Sequence, residues 1–155
     1  MNANPSPTSD SSDCSQAAAA LAHFFETLSP DSLNDLTRHY APDARFKDPF
    51  NEVTGIPAIH AIFEHMFRQL AAPRFVVTRR VVQGNQCFMT WNFQFGFKDT
   101  QRGTIQTIRG ATHLEFSATG QVTLHRDYWD AAEELYEKLP GIGALMRWLK
   151  RRAQG

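Results

Sequence analysis

The stretch that decides the fold is "GIPAIHAIFEHMFRQLAAPRFVVTRRVVQGNQCFMTWNFQFGF", residues 55–97. Its hydrophobic period changes partway along. Apolar residues at 56, 59, 62, 63, 66, 67 and 70 recur on helical spacing, so residues 55–70 predict an amphipathic helix. From Arg74 onward the period is 2. "RFVVTRRVVQ" (74–83) and "QCFMTWNFQFGF" (86–97) predict two strands joined at the Gly84-Asn85 turn signal. In the second strand Met89, Trp91, Phe93, Phe95 and Phe97 share one face, and Thr90, Asn92 and Gln94 share the other.

On the C-terminal side the strand pattern continues. "TIQTIRGATHLEF" (104–116) predicts a long strand, "SATGQ" (117–121) a hairpin turn and "VTLHRDYWD" (122–130) another strand. A helical end follows in "AAEELYEKL" (131–139). On the N-terminal side "CSQAAAALAHFFETL" (14–28) carries a helical apolar face, and the Ser-Pro-Asp signal at 29–31 opens a second helix that Pro42 ends. "ARFKDPF" (44–50) predicts a short strand. The order is three helices around one short strand, then a meander of four antiparallel strands. This is an α+β chain with its N-terminal helices on one face of a curved antiparallel sheet. A helix packed in the concavity of such a sheet leaves a conical pocket.

Three segments are expected: a disordered leader (1–13), one domain (14–139) and a C-terminal helical tail (140–155). The leader holds Ser, Pro, Asn and Asp with little to bury against its ordering entropy. The tail "LPGIGALMRWLKRR" (139–152) has one apolar stripe ending in Lys150, Arg151 and Arg152. It reads as a packing helix, as a lid over the pocket or as a surface anchor. One short stripe is weak ground for membrane contact, and none is expected.

With 155 residues, 16 basic and 16 acidic, the chain is one near-neutral domain without the basic footprint of a nucleic-acid binder. Cys14 and Cys87 have neither disulfide-framework nor zinc spacing, and no signal h-region or membrane span is evident, so a cytoplasmic location is expected. His39, His60 and His65 form no metal-binding pair, and neither metal nor cofactor is expected. Twelve Phe suit a dense core and also an apolar pocket.

Two acids stand out. Strand parity puts Asp48 on the face of Phe46, with Tyr40 and Phe50 nearby. A carboxylate aimed into such surroundings is desolvated and suits a general base; the alternative is that Asp48-Pro49 simply starts a turn. His125, Asp127 and Trp129 share a face by the same parity. If it points inward, the pocket holds two carboxylates and an imidazole among Trp91, Phe93 and Trp129. The alternative pairs Asp127 with Arg109 or Arg126 at the sheet edge. Phe63 and Phe67, on the apolar face of the 55–70 helix, are further candidate pocket residues. His113 and Glu115 lie on the opposite face with Arg109, a surface for solvent or for a second copy.

"YAPDARFKDPFNEVTGIPAIHAIFEHMF" (40–67) and "SATGQVTLHRDYWD" (117–130) resemble the ketosteroid isomerase and SnoaL-like branches of the NTF2-like superfamily. The resemblance implies an α+β cone, usually a homodimer through the sheet, with a pocket for a small apolar molecule. In the isomerases the Asp of the Asp-Pro pair shuttles a proton, which maps to Asp48. Their oxyanion hole maps to Phe24 and Thr112. Phe24 cannot donate a hydrogen bond and Thr112 donates weakly, so steroid enone isomerisation is not expected. The limonene-epoxide hydrolase branch has an Asp-Arg-Asp arrangement; "RDYW" supplies one acid, Asp127, but Trp91 and Phe93 stand where the arginine and second acid belong. The resemblance therefore implies a SnoaL-like isomerase, cyclase or hydrolase with Asp48 as base and Asp127 as acid or orienter. Its alternative is a non-catalytic ligand-binding or scaffold protein.

Overall fold

A computed structural model describes residues 13–98 and 105–135. The expected leader, the 140–155 tail and most of the 98–103 loop lie outside the described residues. Helix α1 (Ser15–Glu26) is followed by a 3-10 turn (Asp31–Asp35), the short helix α2 (Leu36–His39), strands β1 (Tyr40–Lys47) and β2 (Glu52–Thr54), and helix α3 (Ile56–Gln69). Strands β3 (Leu70–Gln83), β4 (Gln86–Phe97), β5 (Gln106–Phe116) and β6 (Val122–Tyr128) and the helical turn α4 (Ala131–Glu134) complete it. The second expected helix is thus split, because the 3-10 turn takes its first half. Strand β2 is an addition to the sequence reading: three residues are too few to show a period.

One six-stranded sheet has the order β2-β1-β6-β5-β4-β3. The meander β3 to β6 is antiparallel, as the sequence predicts. Strand β1 joins it parallel to β6, with Phe46 opposite His125. Between Tyr40 and Arg45 the pairing to β6 is interrupted. Pro42 lies in this gap, where its missing N–H breaks no ladder bond.

The sheet buries one face. On β4 Cys87, Met89, Trp91, Phe93 and Phe95 are all buried, and on β5 Ile108, Thr112, Leu114 and Phe116. Leu21 and Phe25 of α1, Leu33, Leu36, Ile59 and Phe63 pack against them. Phe25 touches the rings of Phe63, Phe75 and His125 at 5.6–5.8 Å, so α1 lies inside the curve of the sheet. The outer face leaves Val81, Phe88 and Tyr128 exposed, and Phe88 stacks on His113 at 4.4 Å.

Two glycines shape the concave side. Gly55 has φ 94° at the turn from β2 into α3, a left-handed conformation that a side chain would strain. Gly110 lies opposite Trp91, and a Cβ there would meet the indole at 2.4 Å. The indole therefore lies directly against the backbone of β5. Among the described residues no helix is long and apolar enough to cross a membrane.

Candidate active site

The concave side holds a cavity of about 740 Å³. Its walls are aromatic: Phe46 from β1, Phe63 from α3, Phe75 from β3, and Trp91, Phe93, Phe95 and Phe97 from β4. Trp129, Phe50, Ile62, Met66, Ile108 and Leu135 add apolar surface. Asp48 and Asp127 both border it. A small inner recess of about 20 Å³ lies behind, lined by Phe25, Met89, Thr112, His125 and Asp127 among others. Asp127 and Trp91 belong to both spaces, so the carboxylate stands at the junction of the recess and the main cavity.

Asp127 is the end of a buried hydrogen-bond chain. Strand pairing puts Thr112 directly across from it. The Thr112 hydroxyl donates to Asp127 Oδ1 at 2.5 Å and accepts from Trp91 Nε1 at 2.8 Å. His125 Nε2 lies 2.8 Å from the same Oδ1, and His125 Nδ1 lies 2.6 Å from the Tyr40 hydroxyl. Tyr40 is completely buried. Burial, and next the charge of Asp127, raise its phenol well above its usual range, so it keeps its proton and donates to Nδ1. The imidazole proton then sits on Nε2 and points at Asp127. Tyr40 thus fixes the His125 tautomer, and His125 and Thr112 together fix Asp127.

The second carboxylate oxygen of Asp127, Oδ2, has no hydrogen-bond donor among the described residues. No fully buried side-chain polar atom is left without a partner there, so Oδ2 is accessible rather than sealed. The expected alternative partners are engaged elsewhere: Arg109 bonds Glu134 at 2.8 Å, and Arg126 lies over the Tyr128 ring at 4.8 Å. Asp127 therefore keeps one oxygen anchored by neutral donors and one accessible, in a residue that borders the main cavity and an outer groove lined by Lys47, Asp48 and Arg126.

Asp48 is held differently. It follows the end of β1, and its Oδ1 accepts from the backbone N–H groups of Phe50 (2.7 Å) and Asn51 (2.6 Å). The Asn51 carboxamide donates to both of its oxygens at 3.0–3.1 Å. The Asp48 N–H donates to the Asn51 carbonyl at 2.9 Å. This is the turn-capping arrangement that Asp-Pro sequences form, placed at the cavity wall.

Of the other residues singled out in the sequence, Phe46, Phe63, Trp91, Phe93 and Trp129 line the main cavity, and Thr112 and His125 line the recess. Three do not reach either space. Phe24 is buried against His39 (4.6 Å) and Phe25 (5.5 Å), because the α1 face that meets the sheet is that of Phe25. Phe67 is packed against the core but borders neither space. Tyr40 stands behind His125 and acts through it. Phe25 and Phe75 are pocket residues that the sequence reading does not single out. Their signal was present as helical and strand periodicity, but periodicity alone does not separate a cavity wall from solid core. Among the described residues no three His, Cys, Asp or Glu side chains are grouped to hold a metal ion.

A family profile shows the family, and solved structures show the fold. A profile of the SnoaL-like domain matches residues 21–125. No curated protein sequence matches the chain. Among solved structures it is similar to a protein of ketosteroid isomerase-like fold from Catenulispora acidiphila, crystallised with trimethylamine: 18% identity, 78% of this chain and 90% of that one, TM-score 0.66. It is similar to a putative SnoaL-like polyketide cyclase from Shewanella putrefaciens, at 19% identity over 77% and 96% of the two chains and a TM-score of 0.64. An epoxide hydrolase from M. tuberculosis, described as LEH-like, shares 12% identity over 88% and 91%, with a TM-score of 0.64. At these identities the structural likeness shows the fold alone. The profile match covers well over half of the chain, and the protein belongs to the SnoaL-like family of the NTF2-like fold.

Proposed function

We propose that this protein binds a small hydrophobic molecule in the aromatic cavity and moves a proton on it with Asp127, using only the chain's own groups. The observation that carries this reading is the asymmetry of the carboxylate: Oδ1 is fixed by Thr112 and His125, and Oδ2 carries no donor among the described residues in a side chain that borders the cavity. A base must be held rigidly and still present a lone pair. Oδ2 would take a proton as a substrate C–H bond, or an O–H bond of water, breaks. Returning it to another atom of the same molecule gives isomerisation or cyclisation; adding water's hydroxide to a substrate carbon as that carbon's bond to a leaving oxygen breaks, with the proton passed to the leaving oxygen, gives hydrolysis. Structural neighbours include a putative cyclase and an epoxide hydrolase, consistent with either outcome. Asp48, the base that the family resemblance implies, is here the cap of the turn at the cavity mouth, and we assign it to shaping that mouth.

One observation favours a second reading, ligand binding without turnover. The hydrogen-bond donors near the recess are already committed: the Thr112 hydroxyl to Asp127, the Trp91 N–H to Thr112 and the His125 Nε2–H to Asp127. An oxyanion formed in the cavity would find no free donor in this chain of residues, and one such donor is worth about two to three orders of magnitude in rate. Chemistry that builds no localised oxyanion on the substrate suits the site better.

The test uses 5-nitrobenzisoxazole, an apolar heterocycle that opens to a coloured phenolate when a base removes its ring C–H. The wild-type chain should accelerate the opening beyond acetate at equal concentration. Asp127→Asn should lower the rate by about 10²-fold, within the range that a positioned base supplies, and Asp48→Asn by less than about tenfold. If Asp48→Asn removes the activity and Asp127→Asn spares it, the base assignment is wrong. If neither variant differs from wild type, the binding reading stands in its place.

A further inference from the structure

We infer that the cavity selects a hydrophobic cation: an apolar molecule that carries a tertiary or quaternary ammonium group. The inference rests on the reading of the cavity as a ligand site and adds the class of ligand to it.

The charge of the cavity wall is one-sided. Among the described residues that line it, the ionisable groups are Asp48, Asp127 and His65, with no lysine or arginine. Neither carboxylate is neutralised by its partners. Asp127 is held by a hydroxyl and by an imidazole whose Nδ1 is an acceptor. Asp48 is held by two backbone amides and a carboxamide. The basic side chains of Lys47 and Arg126 border a neighbouring outer groove that also touches Asp48 and Asp127; there Lys47 bonds Glu52 at 2.6 Å and Arg126 covers Tyr128, while Arg109 bonds Glu134. Hydrogen bonds from neutral donors orient a carboxylate without cancelling its field, so the two acids give the apolar space a negative potential.

The aromatic walls add to that potential. Phe75 and Trp91 meet at 82° with centroids 5.8 Å apart, and Phe50 and Trp129 meet at 73° and 5.5 Å. In each corner the face of one ring, the negative part of its quadrupole, lies beside the edge of the other, and all four rings border the cavity. Ring faces attract cations, and alkylated ammonium groups spread their charge over methyl or methylene hydrogens that fit such corners. A primary ammonium would lose strong hydration to these apolar walls. An anionic ligand would meet two like charges. An alkylated ammonium loses little hydration and finds both the ring faces and the open Oδ2.

The test is isothermal titration of the full chain with three probes of similar shape: 4-(trimethylammonio)phenol, 4-tert-butylphenol and 4-tert-butylbenzoate. The first two differ only in nitrogen for carbon, hence in charge. The cation should bind about tenfold more tightly than tert-butylphenol, the benzoate most weakly of the three. In Asp127→Asn the cation-to-neutral ratio should fall toward one, with a smaller fall in Asp48→Asn. A tert-butylphenol affinity equal to or above that of the cation overturns the inference while leaving the ligand site itself intact. A ratio unchanged in both variants overturns it too, since the carboxylates would not be its source. If none of the probes binds, the ligand site falls with it. The nitrobenzisoxazole rate, measured on an uncharged substrate, reads the base role separately.

Discussion

Tyr40→Phe removes one oxygen atom and should disturb both stability and the site. The ring stays, so the apolar burial of this completely buried side chain is unchanged. What is lost is the 2.6 Å bond to His125 Nδ1. No other donor reaches that nitrogen among the described residues, so it is left a buried acceptor without a partner, or, after a tautomer change, a buried N–H without one. Leaving such a group unsatisfied costs about 1–3 kcal/mol, which for a chain of this size lowers Tm by roughly 3–10 °C. The pH dependence gives an independent check. A phenol whose folded pKa is raised binds its proton more tightly in the folded state, so stability is intact below the ordinary tyrosine pKa near 10 and falls as pH rises above it. Cys87, pushed up to about 11 chiefly by burial, starts a shallower loss from its ordinary value of 9.0. Wild type should therefore lose stability progressively above pH 9 and more steeply above pH 10, and Tyr40→Phe should lack the second part. The assays are urea unfolding from pH 7 to 11 and nitrogen NMR of the imidazole. In wild type Nε2 of His125 should be the protonated nitrogen. A Tyr40→Phe protein with unchanged stability, an unchanged tautomer and an unchanged alkaline slope would refute the claim that Tyr40 fixes His125.

Two further substitutions test the frame of the site. Gly110→Ala sets a methyl group 2.4 Å from the Trp91 indole, so the indole must shift; overpacking of about 1–3 kcal/mol and a changed tryptophan emission should follow, with loss of the Trp91–Thr112 bond. A cost under about 0.5 kcal/mol would show that the indole moves freely. Asp48→Ala removes the acceptor of two backbone amides and should cost about 1 kcal/mol in urea unfolding. No loss there would mean that the turn does not depend on its cap.

Much of the architecture follows from local pattern. The change of period after Leu70, the aromatic alternation of β4 and the Gly84-Asn85 turn place α3, β3 and β4 close to where they lie. Strand parity also puts His125 and Asp127 on the concave face. A period is a property of neighbouring residues, and burial on one face imposes it directly. Asp48 could be narrowed only to two readings, turn or base, because both use the same Asp-Pro signal. The structure adds the amides of Phe50 and Asn51, which hold Asp48 in the turn and whose positions depend on how the chain turns into β2.

What only the tertiary structure decided is the set of partners. Tyr40 and His125 are 85 residues apart and meet because β1 lies parallel to β6, a pairing between chain segments with no local signal. Thr112 meets Asp127, and Trp91 reaches Thr112 over Gly110, because the register of the meander aligns them. The sequence by itself determined which face each side chain would take, since alternation and helical spacing are written in adjacent residues. Register and strand order come from the closure of the whole sheet around its core, and it is they that anchor one oxygen of Asp127 and leave the other open.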